Sequence, residues 1–282
     1  MSIQVSSVIA SVQRGRGSSF SVRSVDLETV GYAASPVTVL DNFRVSGRPF
    51  GPHPHAGFAA VTYVFEDSEA SLRSRDSLGD DIIVGPGGVC WTHAGNGVLH
   101  EELPAQAGRE LHGLQFFVNL SSKNKLTPPR VLSLEGRDVP VWRSESGDRV
   151  RIVVGSFGAV SSPLVPVEPF MLLDIELRHA ISLPLALDHN AIVYVLDGSA
   201  VVSIDERSVE LATEQALVLQ GSGGVSIRSS SGAHLLVLSG AAIQEPIVAH
   251  GPFIMNEAAQ IEQAIVRFRS GAMGQLEPAP RA

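Results

Sequence analysis

Hydrophobic positions in this chain come in short runs rather than long stripes. Residues 37–40, 60–65, 82–84, 114–118, 152–154, 192–196 and 235–238 are rich in β-branched side chains, and Gly, Pro, Asp or Ser clusters separate many of them. Short runs at turn-limited spacing predict the strands of barrels or sandwiches, so the chain reads as all-β. One stretch departs from this rhythm. Beyond Asn256, a candidate cap, Ile261, Ile265 and Phe268 recur at helical spacing until Gly271 stops them. A short C-terminal helix is expected there, followed by a loose segment at Pro278-Ala279-Pro280.

The pattern also repeats. Segment 35–41 parallels 168–174, each with a proline, an apolar run and a closing aspartate; 61–67 parallels 192–198 around Tyr63 and Tyr194; 84–89 parallels 219–225 more loosely. The offset stays at about 131 to 136 residues, the signature of an internal duplication. Two small barrels are therefore expected, residues 1–143 and 144–282, divided near the polar stretch Ser144-Glu145-Ser146-Gly147-Asp148.

Composition narrows the classes. A chain of 282 residues suits two domains, and with 44 % hydrophobic and 18 % charged residues it can bury two cores. The net charge of -8 and the scattered Lys and Arg argue against nucleic-acid binding, which needs clustered cations. Cys90 is the single cysteine, so no intramolecular disulfide can form; between Val89 and Trp91 it reads as a buried thiol. No basic-then-apolar leader opens the chain and no apolar run reaches about 20 residues, so a soluble, cytoplasmic protein without a membrane segment is expected.

Candidate chemistry concentrates in the first half. In Pro52-His53-Pro54-His55 the two histidines share one face of a strand, because side chains alternate with period two. His100-Glu101-Glu102 repeats the geometry, with His100 and Glu102 on one face and Glu101 pointing away. Three imidazoles and a carboxylate suit a first-row divalent metal and leave positions for water or substrate; iron, nickel, manganese, copper and zinc are all compatible. Adding the repeat offset to His53 and His55 reaches Leu185 and Leu187, so the second barrel is expected to be metal-free and filled by these leucines. His189 and His234 stand alone and read as surface or satisfied histidines. His93 and Asn96 are candidates for lining the entrance to the site.

Several blocks then resemble one family. Residues 51–58, Arg75-Asp76-Ser77-Leu78-Gly79, residues 91–104, residues 112–120 and residues 245–256 match successive blocks of pirins in order, and the likeness spans about Ser35 to Arg269. The resemblance implies a bicupin, two cupin-type β-barrels, with iron(II) in the N-terminal barrel on the positions of His53, His55, His100 and Glu102. It also implies two roles. One is a dioxygenase acting on quercetin-type flavonols as small-molecule substrates, with Glu102 the candidate catalytic base; the other is iron-dependent binding to a protein partner, a transcription regulator or enzyme. Ala56 and Ala59 stand where pirins carry Arg and Glu, and Ser74 where they carry His, so the polar groups expected to flank the metal differ here.

Overall fold

The computed structural model describes residues 2–17 and 19–279. The chain divides into two compact units, each a β-barrel. The first barrel comprises Gln13–Ser24, Val39–Asp138 and Ile243–Ala282; the second comprises Met1–Val12, Val25–Thr38 and Val139–Ala242. The mid-chain break thus lies between Asp138 and Val139, and the segments at either end of the chain are traded. The C-terminal helix, expected with the second half, belongs to the first unit. Its Ile261 and Ala264 bury against Ala56, Phe253, Met255 and Met273, which is the apolar contact that holds it there.

The first barrel uses eleven strands: β1 (Val12–Arg16), β2 (Phe20–Ser24), β3 (Val37–Val45), β4 (His53–His55), β5 (Phe58–Val64), β6 (Leu72–Asp76), β7 (Asp81–Val84), β8 (Val89–His93), β9 (Val98–Pro104), β10 (Leu111–Asn119) and β11 (Arg130–Leu134). They form a seven-stranded sheet in the order β11-β8-β5-β10-β3-β2-β1 and a four-stranded sheet in the order β4-β9-β6-β7. Period-two burial carries the assignment: on β6, Leu72, Ser74 and Asp76 are buried while Arg73 and Arg75 are partly exposed.

The second barrel contains β12 (Arg149–Val154), β13 (Phe170–Leu177), β14 (His189–Ile204), β15 (Gln215–Gln220) and β16 (Ala233–Ala241), with Ala180–Leu185 and Gly223–Arg228 pairing beside them. The duplication is visible in the hydrogen-bonded order. The run β8-β5-β10-β3 in the first barrel corresponds, strand for strand, to β15-β14-β16-β13 in the second. Both pairs that carry the sequence repeat, β3 with β13 and β5 with β14, hold equivalent places.

Helix α1 (Ala258–Arg269) begins one residue later than the sequence suggests, with Glu257 as cap. The Gln260 side chain accepts from the Asn256 and Glu257 amides at 3.0 and 3.1 Å. Gly271, at φ +77°, follows its end as expected. The apolar face is Ile261 and Ala264 with Ile265 half-buried, whereas Phe268 is exposed. Among the described residues no helix is long and apolar enough to cross a membrane.

One turn determines how the site is built. Gly57, between β4 and β5, has φ +86°, and a Cβ there would lie 1.9 Å from the Ile254 carbonyl oxygen, so only glycine fits. The buried Lys125 caps the same turn, its Nζ donating to the Gly57 carbonyl at 2.8 Å and to Asn119 Oδ1 at 2.5 Å.

Candidate metal centre

Strand pairing brings the two dipeptide patterns together. β4 and β9 are antiparallel neighbours in which His53 faces His100 and His55 faces Val98. His53, His55 and His100 therefore project into the barrel from one sheet. Their ring centroids lie 4.6 to 4.8 Å apart, and one ligand atom from each falls within 4.8 Å of the others. His53 Nδ1 lies 2.9 Å from the Gly51 carbonyl oxygen, which fixes this ring and turns Nε2 inward. Nε2 of His100 is 3.2 Å from Nε2 of His53.

Electrostatics keep His55 and His100 neutral. Burial and the neighbouring His53 push the His55 pKa down to about 3, with the Pro252 backbone working weakly the other way. Burial and the other two imidazoles hold His100 well below its ordinary value. Neutral imidazole is the form that ligates a metal. Nδ1 of His100 is buried without a protein hydrogen-bond partner, an arrangement costing about 1–3 kcal/mol unless something else compensates. The donor set fits a divalent cation, and the three histidines could hold one.

Glu102 lines the same cavity, but its carboxylate is held by other groups. Thr62 Oγ1 donates to Oε2 at 2.6 Å, and Gln115 is a second hydrogen-bond partner. Thr62 and Gln115 oppose each other across β5 and β10. Burial raises the Glu102 pKa to about 7 against the pull of these two bonds. Its tight partners are thus Thr62 and Gln115, while the cluster with mutually close ligand atoms consists of the three histidines. Glu101 points away from the cavity, as the alternation predicts.

The cavity above the histidines has a volume of about 180 Å³. Phe43, Val45, Leu72, Leu111 and Phe117 form its walls, and Phe20, Pro49 and Phe50 reach it from their loops and strand. Asp41 is the other carboxyl in the lining; burial raises its pKa while Ser24 and Arg14 pull it down. Phe58 and Phe117 sit edge-on to His55, with centroids at 5.0 and 5.5 Å.

Several expectations change here. His93 is buried and its Nε2 lies 2.8 Å from Thr127 Oγ1, while the Asn96 carbonyl accepts from Arg267 Nε; neither residue is in the cavity lining. The mouth belongs instead to Phe20, Pro49 and Phe50. Ala56 and Ala59 are fully buried and do not line the cavity either. Ala56 packs with Phe253 and Met255 of the C-terminal block. Ser74 and Thr92 are hydrogen-bond partners of Cys90, a fully buried thiol whose pKa is pushed up to about 12 by burial and the nearby Glu102. Thr62 and Gln115 escaped the sequence reading, although alternation along β5 and β10 would have pointed both inward.

In the second barrel Leu185 is buried in the core with Leu183 and Ile181, as expected. Leu187 is not: it is 63 % exposed. The chain turns between Ala186 and His189, with a 3.2 Å backbone bond and Asp188 at φ +62°, and that turn throws Leu187 outward. His234 pairs with Asp174 at 2.6 Å, and His189 borders an open cleft beside Trp142 and Phe157. Among the described residues, the first-barrel histidines are the one group with metal-ligand spacing.

Comparison with known proteins agrees with this architecture. Residues 11–118 match the Pirin family model and residues 171–274 match the Pirin C-terminal cupin domain. A Pseudomonas aeruginosa protein with a provisional quercetin 2,3-dioxygenase name is 37 % identical over 252 residues, covering 84 % of this chain and 86 % of that protein. Human pirin is 30 % identical over 247 residues, covering 85 % and 83 %. A crystal structure of quercetin 2,3-dioxygenase from Acinetobacter baumannii superposes with a TM-score of 0.86 at 27 % identity, covering 98 % of this chain and all of that one. The chain is a two-barrel cupin-fold protein and belongs to the pirin family.

Proposed function

We propose that the first barrel binds one divalent metal, iron(II) in the cell, through His53, His55 and His100, and uses it in dioxygenase chemistry on a compact hydroxylated aromatic of the flavonol kind. The observation that carries this reading is the convergence of three imidazoles at the floor of an apolar cavity. When bound, the iron would supply open coordination positions where dioxygen and a substrate oxygen can meet. Choosing iron among the compatible metals rests on the family likeness and on the dioxygenase names of relatives.

The chain's own groups have distinct tasks. Glu102, with a pKa of about 7, is suited to take the proton of a substrate hydroxyl near neutral pH. Thr62 and Gln115 hold its carboxylate in one orientation. On this reading Glu102 acts as fourth ligand, as base, or as both in turn. Phe58 and Phe117 keep water from the face of His55.

The lining also restricts the substrate. Ligand pockets for drug-sized molecules are typically about 300–1,000 Å³, so a cavity of about 180 Å³ takes one aromatic ring while the rest of a flavonol lies at the mouth beside Phe50. Asp41 and Glu102 face the cavity and no Lys or Arg lines it among the described residues. Carboxylated aromatics should therefore bind worse than neutral phenols.

The test is metal content of freshly purified protein together with oxygen uptake on neutral flavonols, simple catechols and their carboxylated analogues. Slow but metal-dependent uptake, lost on chelation and in Glu102→Gln with metal retained, would support the base role; the amide still offers an oxygen but is a very poor proton acceptor. Protein fully loaded with reduced iron yet inert toward every phenol would sink the enzymatic reading and favour iron-dependent partner binding.

A further inference from the structure

We propose that Glu101 is a positioning residue for the metal centre, acting together with the chain's own C-terminal segment, residues 273–279, which straps the ligand-bearing strand from outside. The proposal rests on the metal reading above. It starts from an anomaly: Glu101 faces away from the cavity, on what the alternation marks as the outer side of β9, yet it is only 4 % exposed. A buried carboxylate needs partners, and two are present. Arg75, its direct cross-strand neighbour on β6, donates Nη1 to Oε2 at 2.9 Å. The backbone amide of Ala279 donates to the same oxygen at 2.9 Å.

The segment is held at further points. Arg75 Nη1 also donates to the Glu277 carbonyl at 3.1 Å, and Arg48 Nη1 donates to the Ala279 carbonyl at 3.2 Å. Ala279, itself buried, is thus gripped on both sides of its backbone. Arg48 lies in the loop that brings Pro49 and Phe50 to the cavity mouth and the Gly51 carbonyl to His53. Nearer the helix, Ser77 Oγ donates to the Met273 carbonyl at 2.6 Å and accepts the Leu99 amide at 3.1 Å. Met273 packs so closely on Gly97 that a Cβ there would meet its Cγ, Sδ and Cε at 2.6 to 2.7 Å.

The strap therefore engages β9 and its entry at Gly97, Leu99 and Glu101, while His100 and Glu102 point the other way. In a pleated strand, fixing the outward positions fixes the directions of the inward ones. Metal affinity depends on ligand geometry at the sub-ångström level, and partners beyond the ligands change it by about 10 to 100-fold. Through Arg48 the same segment also restrains the loop that orients His53.

The experiment compares full-length wild type with Glu101→Gln, Glu101→Ala, a chain ending at Gly274, and the combination of the last two. Cobalt(II) is the probe. Three quantities are read: its Kd by chelator competition, its visible ligand-field spectrum, and Tm of the metal-free protein. Glu101→Ala and the truncation should each weaken cobalt binding about tenfold and alter the spectrum, with Glu101→Gln milder because its amide oxygen still accepts the Ala279 amide. The combined variant should weaken binding by less than the two single effects added, since both break the contact between Glu101 and the Ala279 amide. A tail that merely adds stability would lower Tm and leave Kd and spectrum unchanged, and that result in Glu101→Ala overturns the proposal whether or not the truncated chain folds. Wild type that takes up no cobalt would overturn the metal reading instead. Amide exchange over residues 98–104 in metal-free wild type and Glu101→Ala would still decide the strap, because equal rates would refute it.

Discussion

The two barrels share a strand order but not an interior. In the first, β4 and β9 place three imidazoles and a carboxylate against a partly open cavity. In the second, the strand Ala180–Leu185 turns Ile181, Leu183 and Leu185 inward to join Val193, Val195, Leu217, Leu235 and Val237 in one aliphatic core. The backbone that can hold a metal is thus the same backbone that can simply close. What differs is whether the inward positions of two neighbouring strands are polar or apolar. In the histidine barrel His100 buries a ring Nδ1 that has no hydrogen-bond partner in the protein, where the core of the second barrel is filled with methyl groups.

The comparison can be broken first at the histidines. His100→Ala should abolish stoichiometric metal while leaving the metal-free chain folded, because it removes one buried imidazole whose Nδ1 has no protein partner; metal analysis beside a thermal melt checks both. Unfolding on metal loss in wild type would instead make the metal a structural element.

The reverse change should cost more stability and give no function. Leu185→His places a polar ring in a close-packed core and should destabilise by about 3–5 kcal/mol, measured by urea unfolding, with no metal gained. Uptake of cobalt by that variant would mean the second barrel retains a latent site.

Acid should separate wild type from His100→Ala in the metal-free state. The folded pKa of His55 is depressed to about 3 and that of His100 also lies well below 6.5. Their neutral rings contribute stability that is present above the unfolded value and lost as pH falls below it. Glu102 works in the opposite sense: its folded pKa of about 7 exceeds 4.5, so its contribution grows as pH falls between those values. These two histidines and one carboxyl together contribute a net uptake of one proton on unfolding, about 1.4 kcal/mol per pH unit between pH 6 and 5, on top of the slope set by other shifted groups such as His112, His189, Asp41 and Asp76. His100→Ala should flatten that slope in a pH series of denaturant midpoints; an equal slope in both proteins would refute the assignment of neutral, buried rings.

The smallest effect is expected at Leu187. Leu187→Ser should shift stability by no more than about 0.5 kcal/mol, as exposed positions do, and His189→Ala should leave metal content unchanged. A large loss at Leu187 would contradict its exposure in the turn.

These contrasts also show which features were readable in the chain. His-x-His and His-x-Glu are legible because strand alternation is strictly periodic, so two short patterns determine four directions. The duplication was legible because apolar runs and turn residues recur together. Leu187 was not, since a fixed offset presumes equal loop lengths and the turn at Asp188 ends the alternation one residue earlier. Ala56 looked like a site position by its neighbours, but its burial is set by Phe253 and Met255, about two hundred residues away in sequence. The loose end expected around Ala279 failed for the same reason. Glu101, Arg75 and Arg48 bind its backbone, and backbone hydrogen bonds leave no side-chain signature. Pro280 lies outside the described residues.

Lys125 has a consequence for chemical labelling. The sequence contains two lysines, Lys123 and Lys125. The first is exposed; the second is sealed in the turn that follows His55, its amine turned toward the Gly57 carbonyl and the Asn119 side chain. An amine-reactive reagent should therefore modify Lys123 readily and leave Lys125 untouched while the turn stays closed. Peptide mapping after timed exposure would make Lys125 acylation a clock for opening of the histidine-bearing turn, read without a metal, a substrate or a spectroscopic tag. Dyes or surfaces attached through Lys123 would meet a single side-chain amine in the folded protein.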